Sequence, residues 1–139
     1  MSEQSTTPDL VELTRALFDA AQRQDFETIT SLLAPDAAFE SVALALSLSG
    51  ARTIGGFLEE WMGVFEDYSV ELEEGLDLSH GVVFAAARST ARLPGSDALI
   101  RQREAYVFTF VDGLIARAVG YLDIDDARAA ANLLAESRA

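Results

Sequence analysis

Residues 103–131 constrain the fold most, because they read as two long strands joined by a tight turn and followed by a helix. Asp112-Gly113 separates two apolar, β-rich runs, and an Asp-Gly pair in this setting is a strong hairpin signal. Glycine accepts the positive φ that such a turn requires. The sequence therefore predicts a β-hairpin near its C-terminal end, with the preceding helices packed against it.

The length of this turn decides which hairpin residues share a face of the sheet. A two-residue loop would put Phe108 opposite Arg117, whereas a three-residue loop over residues 111–113, with a glycine bulge, changes the parity of the pairing. We prefer the second register, because it sets large side chains of one strand against small ones of the other. Its expected inner-face pairs are Phe108 with Ala116, Tyr106 with Ala118, Glu104 with Gly120 and Gln102 with Leu122, and its outer-face pairs are Arg101 with Asp123 and Arg103 with Tyr121.

The small residues Ala116, Ala118 and Gly120 form a row on the inner face in this register. Such a row leaves volume above the sheet and can make room for a ligand. Alternatively, small residues let a helix pack close to the sheet. The sequence leaves these two interpretations open.

Composition limits the chemistry that the protein can perform. With 139 residues and 50% hydrophobic content, the chain is predicted to form a single domain, with residues 1–7 as a disordered tail. The absence of cysteine excludes disulfides, thiolate ligands and a cysteine nucleophile. The single histidine, His80, excludes multi-histidine zinc sites, and its Ser-His-Gly setting predicts an exposed turn rather than a catalytic base. We expect no metal and no other cofactor.

The charge of the chain argues against polyanionic partners. The formal net charge is −13, from 23 acidic and 10 basic residues, and eight of the acidic residues fall within residues 59–77. Nucleic acid would be repelled by such a surface. We interpret the acidic stretch as a solvated face; a cation site is the alternative, although the spacing matches no calcium loop. With no signal-peptide pattern and no apolar run near ~18 residues, we expect a cytoplasmic protein without a membrane partner.

Hydrophobic periodicity predicts the remaining elements. An amphipathic helix over residues 9–23 begins after Thr7-Pro8, a short helix capped by Asp25 ends at Pro35, and a third helix spans residues 54–66. Residues 36–42 are extended, and residues 43–49 continue that strand or form an apolar flap. The strands that follow cover residues 68–78, 82–93 and 99–111, before the second hairpin strand and a helix capped by Asp123. The fold class is α+β: a curved antiparallel sheet forming a cone, covered by the N-terminal helices, with a short C-terminal helix.

Three segments resemble a known family. They are DFETITSLLAPDAAFES (residues 25–41), the glycine-led third helix with its tryptophan, and FTFVDGLIARAVGYLDIDDARAAANL (residues 108–133). They look like the SnoaL-like polyketide cyclases of the nuclear transport factor 2-like superfamily, which has the ketosteroid isomerase-like fold. The resemblance spans about residues 10–134 and implies a homodimer through the outer sheet face, where Arg101, Arg103 and Arg117 would meet partner carboxylates. The superfamily contains several kinds of enzyme as well as binding modules, so activity must be argued from the site.

The catalytic positions of the family are largely replaced in this sequence. The general base of the ketosteroid isomerase branch would fall on Ser41, and its two oxyanion donors on Leu17 and Tyr106. The acid/base aspartate of the cyclase branch would fall near Gly120. Serine cannot serve as a base unaided, and leucine and glycine carry no titratable group. The Asp-Arg-Asp set of the epoxide hydrolase-like members has no convincing match.

Glu104 and Tyr106 are the polar residues expected to point into the cone, with Gln102 nearer its rim. A carboxyl group walled by aromatic side chains would be desolvated, which raises its pKa and suits it to acid or base catalysis near neutral pH. Tyr106, two residues along the strand, would project from the same face and donate a hydrogen bond to a carbonyl oxygen. Alternatively, Glu104 pairs with Arg101 or Arg103 or lies at the solvated mouth of the cone, and Tyr106 belongs to the core with its hydroxyl group hydrogen-bonded.

Two functions therefore remain open. We favour a protein that binds a small apolar molecule; the alternative is an enzyme that isomerises, cyclises or dehydrates an apolar carbonyl compound, with Glu104 as acid/base and Tyr106 as polariser. A purely structural dimerisation domain would follow if Trp61 and Phe65 filled the cone. The predicted ligand contacts are Leu17, Ser41, Phe57, Trp61, Phe65, Phe108, Ala118 and Gly120.

Overall fold

The structure, a computed structural model, describes residues 9–139. In chain order its elements are α1 (Leu10–Gln22), α2 (Phe26–Leu32), β1 (Leu33–Ser41), β2 (Leu46–Ser49), α3 (Ala51–Gly63), β3 (Glu66–Asp77), β4 (Val82–Arg92), β5 (Leu99–Val111), β6 (Leu114–Tyr121) and α4 (Ile124–Ser137). The strands form one sheet in the order β2-β1-β6-β5-β4-β3. The predicted α+β class is confirmed. The sheet is mixed rather than wholly antiparallel, because β1 runs parallel to β6.

Aspartate side chains begin three of the helices. The carboxylate of Asp9 accepts hydrogen bonds from the backbone N–H groups of Val11 and Glu12, so α1 begins at Leu10; the predicted start at Thr7-Pro8 lies outside the described residues. Asp25 and Asp123 cap α2 and α4, as predicted. These caps satisfy backbone donors that would otherwise lack a partner at each helix start.

Three predicted helix boundaries were wrong. The second helix ends at Leu32 rather than at Pro35, which lies within β1 where the pairing with β6 shifts between Leu33 and Ala38. This irregularity accommodates a residue that has no N–H to donate. The third helix begins at Ala51, directly after Gly50 with φ +98°, and ends at Gly63. Phe65 therefore lies beyond the helix to which it was assigned.

The C-terminal hairpin combines features of the two registers considered. Its loop contains two residues, Asp112 (φ 54°) and Gly113 (φ 79°), and not the expected three. A bulge at Ala116 then restores the preferred parity, so that Phe108 lies opposite Ala118 and Tyr106 lies opposite Gly120. The large-against-small pairing was expected, but each expected partner is displaced by two residues. The extra residue sits in the second strand, because both central turn residues adopt the positive φ of a tight turn.

The helices cover both faces of the sheet. On the inner face, α1, α2 and α3 pack on strand residues that include Val83, Ala85, Phe108 and Ala118. On the outer face, α4 packs on Val82, Phe84, Ala86, Ala105 and Val107. Among residues 9–139, no helix combines the length and the hydropathy of a membrane span.

The part of the outer face beyond α4 carries ion pairs. Glu73 accepts hydrogen bonds from Arg88 (2.6 Å) and Arg103 (3.0 Å), and Glu40 binds Arg117 through both carboxylate oxygens (2.8 and 3.0 Å). The acidic stretch is thus partly engaged in ion pairs rather than only solvated. Arg103, which was considered as a partner for Glu104, is bound to Glu73 on the opposite face.

Candidate functional site

The inner face and helices α1–α3 enclose two adjoining cavities. The deeper one, here called the inner chamber, has a volume of about 100 Å³, and the outer chamber has about 250 Å³. Both chambers are lined by Phe39, Leu58, Met62, Tyr68 and Tyr106. Because they share these walls, the two chambers adjoin, and the aromatic residues line the space rather than fill it.

The inner chamber has apolar walls. Apart from the hydroxyl groups of Tyr68 and Tyr106, its lining side chains carry only hydrocarbon and one thioether. The residues that line it in addition to the shared five are Leu17, Phe18, Ala21, Ile29, Leu33, Ala38, Ile54, Val70, Phe108 and Ala118. Such a chamber favours a hydrocarbon group, because an unpartnered polar group there would lose its hydrogen bonds to water.

Small residues of β6 make space for the aromatic side chains of β5. A Cβ atom at Gly120 would lie 3.1 Å from Cε1 of Tyr106, which is closer than most Cβ contacts. The Tyr106 ring therefore extends over Gly120 of the neighbouring strand, and it stacks on Phe108 of its own strand with 5.8 Å between ring centroids. This arrangement holds the Tyr106 side chain between the two chambers.

The outer chamber contains the charged group of the site. Oη of Tyr106 donates a hydrogen bond to Oε2 of Glu104 at 2.9 Å. Burial raises the pKa of the Glu104 carboxyl group, and hydrogen bonds from Tyr106 and Ser89 act in the opposite direction by favouring the charged form. Glu104 is therefore a desolvated carboxyl group, held in place by a neighbour on its own strand.

Two phenols accompany this carboxyl group. Burial raises the pKa of Tyr68 to about 12, and the negative charge of Glu104 adds to this effect. Burial raises the pKa of Tyr106 well above its usual value, again with a contribution from Glu104. Both phenols therefore remain protonated at neutral pH. Tyr68 and Tyr106 thus place two hydroxyl groups at the boundary between the chambers, and the Glu104 carboxyl group lies on the outer-chamber side of them.

The structure brings most of the predicted site residues together. Leu17, Phe108 and Ala118 line the inner chamber, and Tyr106 lines both chambers. The outer chamber is lined by Ser41, Phe57, Trp61, Gln102, Glu104 and Gly120.

Phe65 differs from the prediction, because it lines neither chamber. Phe65 follows the end of α3 at Gly63, and its ring packs edge-on against Trp61 and at a tilt against Tyr68.

Sequence reasoning missed Tyr68 and Phe39 as site residues. Tyr68 lies on β3 in the same alternating pattern as Val70, which also lines the inner chamber. The alternation of β3 was the available signal, since alternate residues of a strand share a face. Phe39 carried no such signal, because its position follows from the pairing of β1 with β6, where it lies opposite Ala118.

Other potential reactive groups lie away from this site. His80 is an exposed turn residue, as predicted, and its carbonyl oxygen accepts a hydrogen bond from Arg138. Within residues 9–139, no group of three or more histidine, aspartate and glutamate side chains is arranged to hold a metal ion.

Solved structures share this architecture. A protein of ketosteroid isomerase-like fold from Catenulispora acidiphila DSM 44928, in complex with trimethylamine, matches with a TM-score of 0.74 at 18% identity, over 94% of this chain and 98% of the other. An LEH-like epoxide hydrolase from M. tuberculosis matches with a TM-score of 0.69 at 20% identity, over 91% and 93%. A candidate polyketide cyclase from Sinorhizobium meliloti matches with a TM-score of 0.66 at 25% identity, over 78% and 93%.

The family itself is identified by sequence. No curated protein matches the chain significantly. The profile of the SnoaL-like domain, however, matches residues 14–118, which is most of the chain. Together with the mixed sheet, the three helices over its inner face and the cavity between them, this match shows that the chain belongs to the SnoaL-like domain family.

Proposed function

We propose that this protein binds a small, largely apolar molecule that carries one polar group. The observation that carries the proposal is the arrangement of the two chambers: apolar walls lead to a boundary formed by Glu104, Tyr68 and Tyr106. A mostly apolar pocket with a few convergent polar groups is typical of small-molecule sites. The hydrocarbon part of the ligand would enter the inner chamber, and its polar group would stay at the boundary.

The structural neighbours support a small-molecule site without specifying its ligand. One was solved in complex with trimethylamine, and others are named as an epoxide hydrolase and a polyketide cyclase. Because these neighbours have low sequence identity to this chain, the similarity shows only a shared fold. Proteins with a fold of this kind carry out unrelated activities. The proposal therefore rests on the lining residues of this chain.

A thermal-shift screen tests the proposal. The panel comprises steroids, terpenoids, polyketide intermediates, fatty acids and small amines, each with the purified protein. A ligand at 100 times its dissociation constant stabilises the folded state by ~2.7 kcal/mol, which raises the melting temperature of a domain of this size by roughly 10 °C. We expect at least one class to produce such a shift.

A matched pair of variants shows whether the shift comes from the chambers. Ala118→Leu adds a side chain to the wall of the inner chamber, whereas Ala129→Leu makes the same change on the exposed side of α4. We expect the first variant to lose the ligand-induced shift and the second to retain it. A flat response of the wild-type protein across the panel, or equal shifts in both variants, would contradict the proposal.

The hydrogen bond between Tyr106 and Glu104 favours a second candidate function. A carboxylate whose pKa is raised by burial is a stronger base, and it can take a proton from a carbon next to a carbonyl group. Once Glu104 has taken this proton, the phenol of Tyr106, which keeps its own proton at neutral pH, can turn its hydrogen bond from Glu104 to the enolate oxygen. The candidate activity is the isomerisation, cyclisation or dehydration of an apolar carbonyl compound, with Glu104 as acid/base and Tyr106 as polariser.

This second candidate is tested with Glu104→Gln, which keeps the shape of the side chain and removes its basicity. For any carbonyl compound found by the screen, product formation is followed by mass spectrometry. We expect loss of turnover with little change in the affinity for the carbonyl compound. An unchanged rate in the variant would show that Glu104 takes no part in the mechanism. If the wild-type protein binds the compound without forming any product, the enzymatic candidate is ruled out and only the binding function remains.

A further inference from the structure

We infer that the polar group of the ligand is a cation, an alkylated ammonium group, which the outer chamber holds between the Glu104 carboxylate and its aromatic walls. This inference rests on the proposed binding function and narrows it to one class of ligand, a compact hydrocarbon carrying an amine. Three properties of the site support it: the sign of its charge, the composition of its walls and the electrostatics of the whole chain.

Of the described residues that line either chamber, Glu104 is the only one with a charged side chain. Among residues 9–139, no arginine or histidine lies within ion-pair distance of it, and neighbouring Arg103 is bound to Glu73 on the outer face. The hydrogen bond from Tyr106 offsets only part of the desolvation of the carboxylate. A cationic ligand would supply the missing partner, whereas a carboxylate ligand would bring two negative charges together.

The walls of the outer chamber suit a cation as well. Six of its fifteen lining residues are aromatic: Phe39, Phe57, Trp61, Tyr68, Tyr106 and Tyr121. The faces of aromatic rings attract cations within about 6 Å of the ring centre, most strongly for tryptophan. Trp61 and Phe57 are nearly parallel, with 6.2 Å between centroids and an interplanar angle of 17°. An alkylated ammonium group can contact such rings through its methyl groups while its charge faces Glu104.

The charge of the chain acts in the same direction over longer distances. The formal net charge of −13 produces a negative potential that raises the local concentration of cations and lowers that of anions. The apolar inner chamber then distinguishes between cations, because a hydrated inorganic ion gains nothing from hydrocarbon walls. The favoured ligand is therefore an amine with a hydrocarbon body.

The inference is tested with three compounds that share a cyclohexyl body and differ in charge. N,N-dimethylcyclohexylamine is protonated at neutral pH, cyclohexyl methyl ketone is neutral and cyclohexanecarboxylate is an anion, and all three have the same number of non-hydrogen atoms. Their dissociation constants for the wild-type protein are measured by calorimetry at low and at high salt. We expect the amine to bind about tenfold or more tightly than the ketone, and the carboxylate to bind most weakly.

Two variants assign the preference to Glu104. Glu104→Gln removes the charge in the chamber, and Glu71→Gln removes the same charge from an exposed position on β3 that lines neither chamber. We expect the first variant to bind the amine and the ketone about equally, and the second to keep most of the preference. Retention of ketone binding in Glu104→Gln shows that the variant is folded and its cavity intact.

The outcomes separate this inference from the binding function. If the ketone or the carboxylate binds the wild-type protein as tightly as the amine does, the cation inference is overturned; sensitivity of that binding to Ala118→Leu would still support the chambers as a binding site. If none of the three compounds binds at millimolar concentration, the cation inference also falls. The wider thermal-shift panel then decides the binding function by itself.

Discussion

On the outer face of the sheet, Ala86 and Ala105 pack with Ala127 and Ala131 of α4 in a closed cluster. On the inner face, Ala118 lines the inner chamber instead. The difference lies in the covering helices. The buried residues of α4 are alanines, which allow close approach, whereas α1 and α3 present Phe18, Ile54 and Met62 among others. Bulky side chains keep a helix further from the sheet than alanines do.

Both interpretations of a small residue on a strand thus apply within one protein. A small strand residue closes the interface when its covering helix is also small, and it lines a cavity when the covering helix is bulky. A row of alanine and glycine along one strand is therefore insufficient to predict a pocket. The side chains of the element that packs over it must be known as well.

The largest expected effect comes from adding the same side chain to each face. Ala105 is 0% exposed beneath α4, and Ala118 is 7% exposed beside the inner chamber. We expect Ala105→Leu to lower the free energy of unfolding by roughly 1–3 kcal/mol, because the closed face has no space for it. Ala118→Leu should change this free energy by less than about 1 kcal/mol, because the added atoms occupy the chamber. Urea denaturation measures both changes. Equal losses of unfolding free energy would show that the two faces do not differ in the space that they leave for a larger side chain.

A smaller effect is expected at Gly120. The methyl group of Gly120→Ala would lie 3.1 Å from the Tyr106 ring, which must shift and weaken its hydrogen bond to Glu104. We expect a loss of roughly 1 kcal/mol, measured by thermal unfolding. The control is Gly56→Ala on α3, where the added Cβ has no neighbour within 4 Å and alanine favours the helix. A loss as large at Gly56 would show that the Tyr106 contact is unimportant.

The desolvation of Glu104 predicts a pH-dependent difference in stability. Because the folded-state pKa of Glu104 is raised, the folded protein binds the proton more tightly than the unfolded chain, so stability decreases as pH rises from the ordinary carboxyl pKa through the folded one. Glu104→Gln lacks this decrease. We therefore expect the variant to gain stability relative to wild type at neutral pH. In acid, where the carboxyl group is protonated in both states, this relative gain should disappear.

Urea midpoints for the two proteins across this pH range check the prediction. The groups around Glu104 are Tyr68, Tyr106 and Ser89, and both tyrosines stay protonated throughout the range, so none of them titrates within it. A variant that is destabilised at neutral pH would indicate that the carboxylate is stabilised by its hydrogen bonds more than it is penalised by burial.

The smallest effect on the free energy of unfolding of a single chain is expected for a substitution on the outer face beyond α4. We propose that this area, with exposed Arg101, Arg103 and Arg117, contacts a second copy of the chain, as the family resemblance implied. Light scattering should then give the mass of a dimer at micromolar concentration. Arg101→Glu should shift the mass toward that of the monomer, with little loss of helical circular dichroism. A monomeric wild-type protein would refute the proposal.

The candidate site was predictable to the extent that it lies on one strand. Glu104, Tyr106 and Phe108 share a face because alternate strand residues do so, and this holds for any register of the hairpin. Phe39 lies on β1, which pairs with β6 far along the chain, and Tyr68 lies on β3 where its pairing with β4 is bulged. Their places in the site therefore depend on strand pairing that the local sequence does not specify. Phe65 was misplaced because a shift of helix α3 by three residues removed it from the stripe that faces the sheet.

The sequence by itself determined the element types, the caps at Asp25 and Asp123, the Asp112-Gly113 turn and the family, because periodicity and capping depend on residues a few positions apart. The tertiary structure alone decided the parallel pairing of β1 with β6, the bulge at Ala116 and which face received the alanine-rich helix. These features depend on side chains that meet only after the chain has folded. The cavity, which lies between three helices and a sheet, therefore appears only when all of them are packed together.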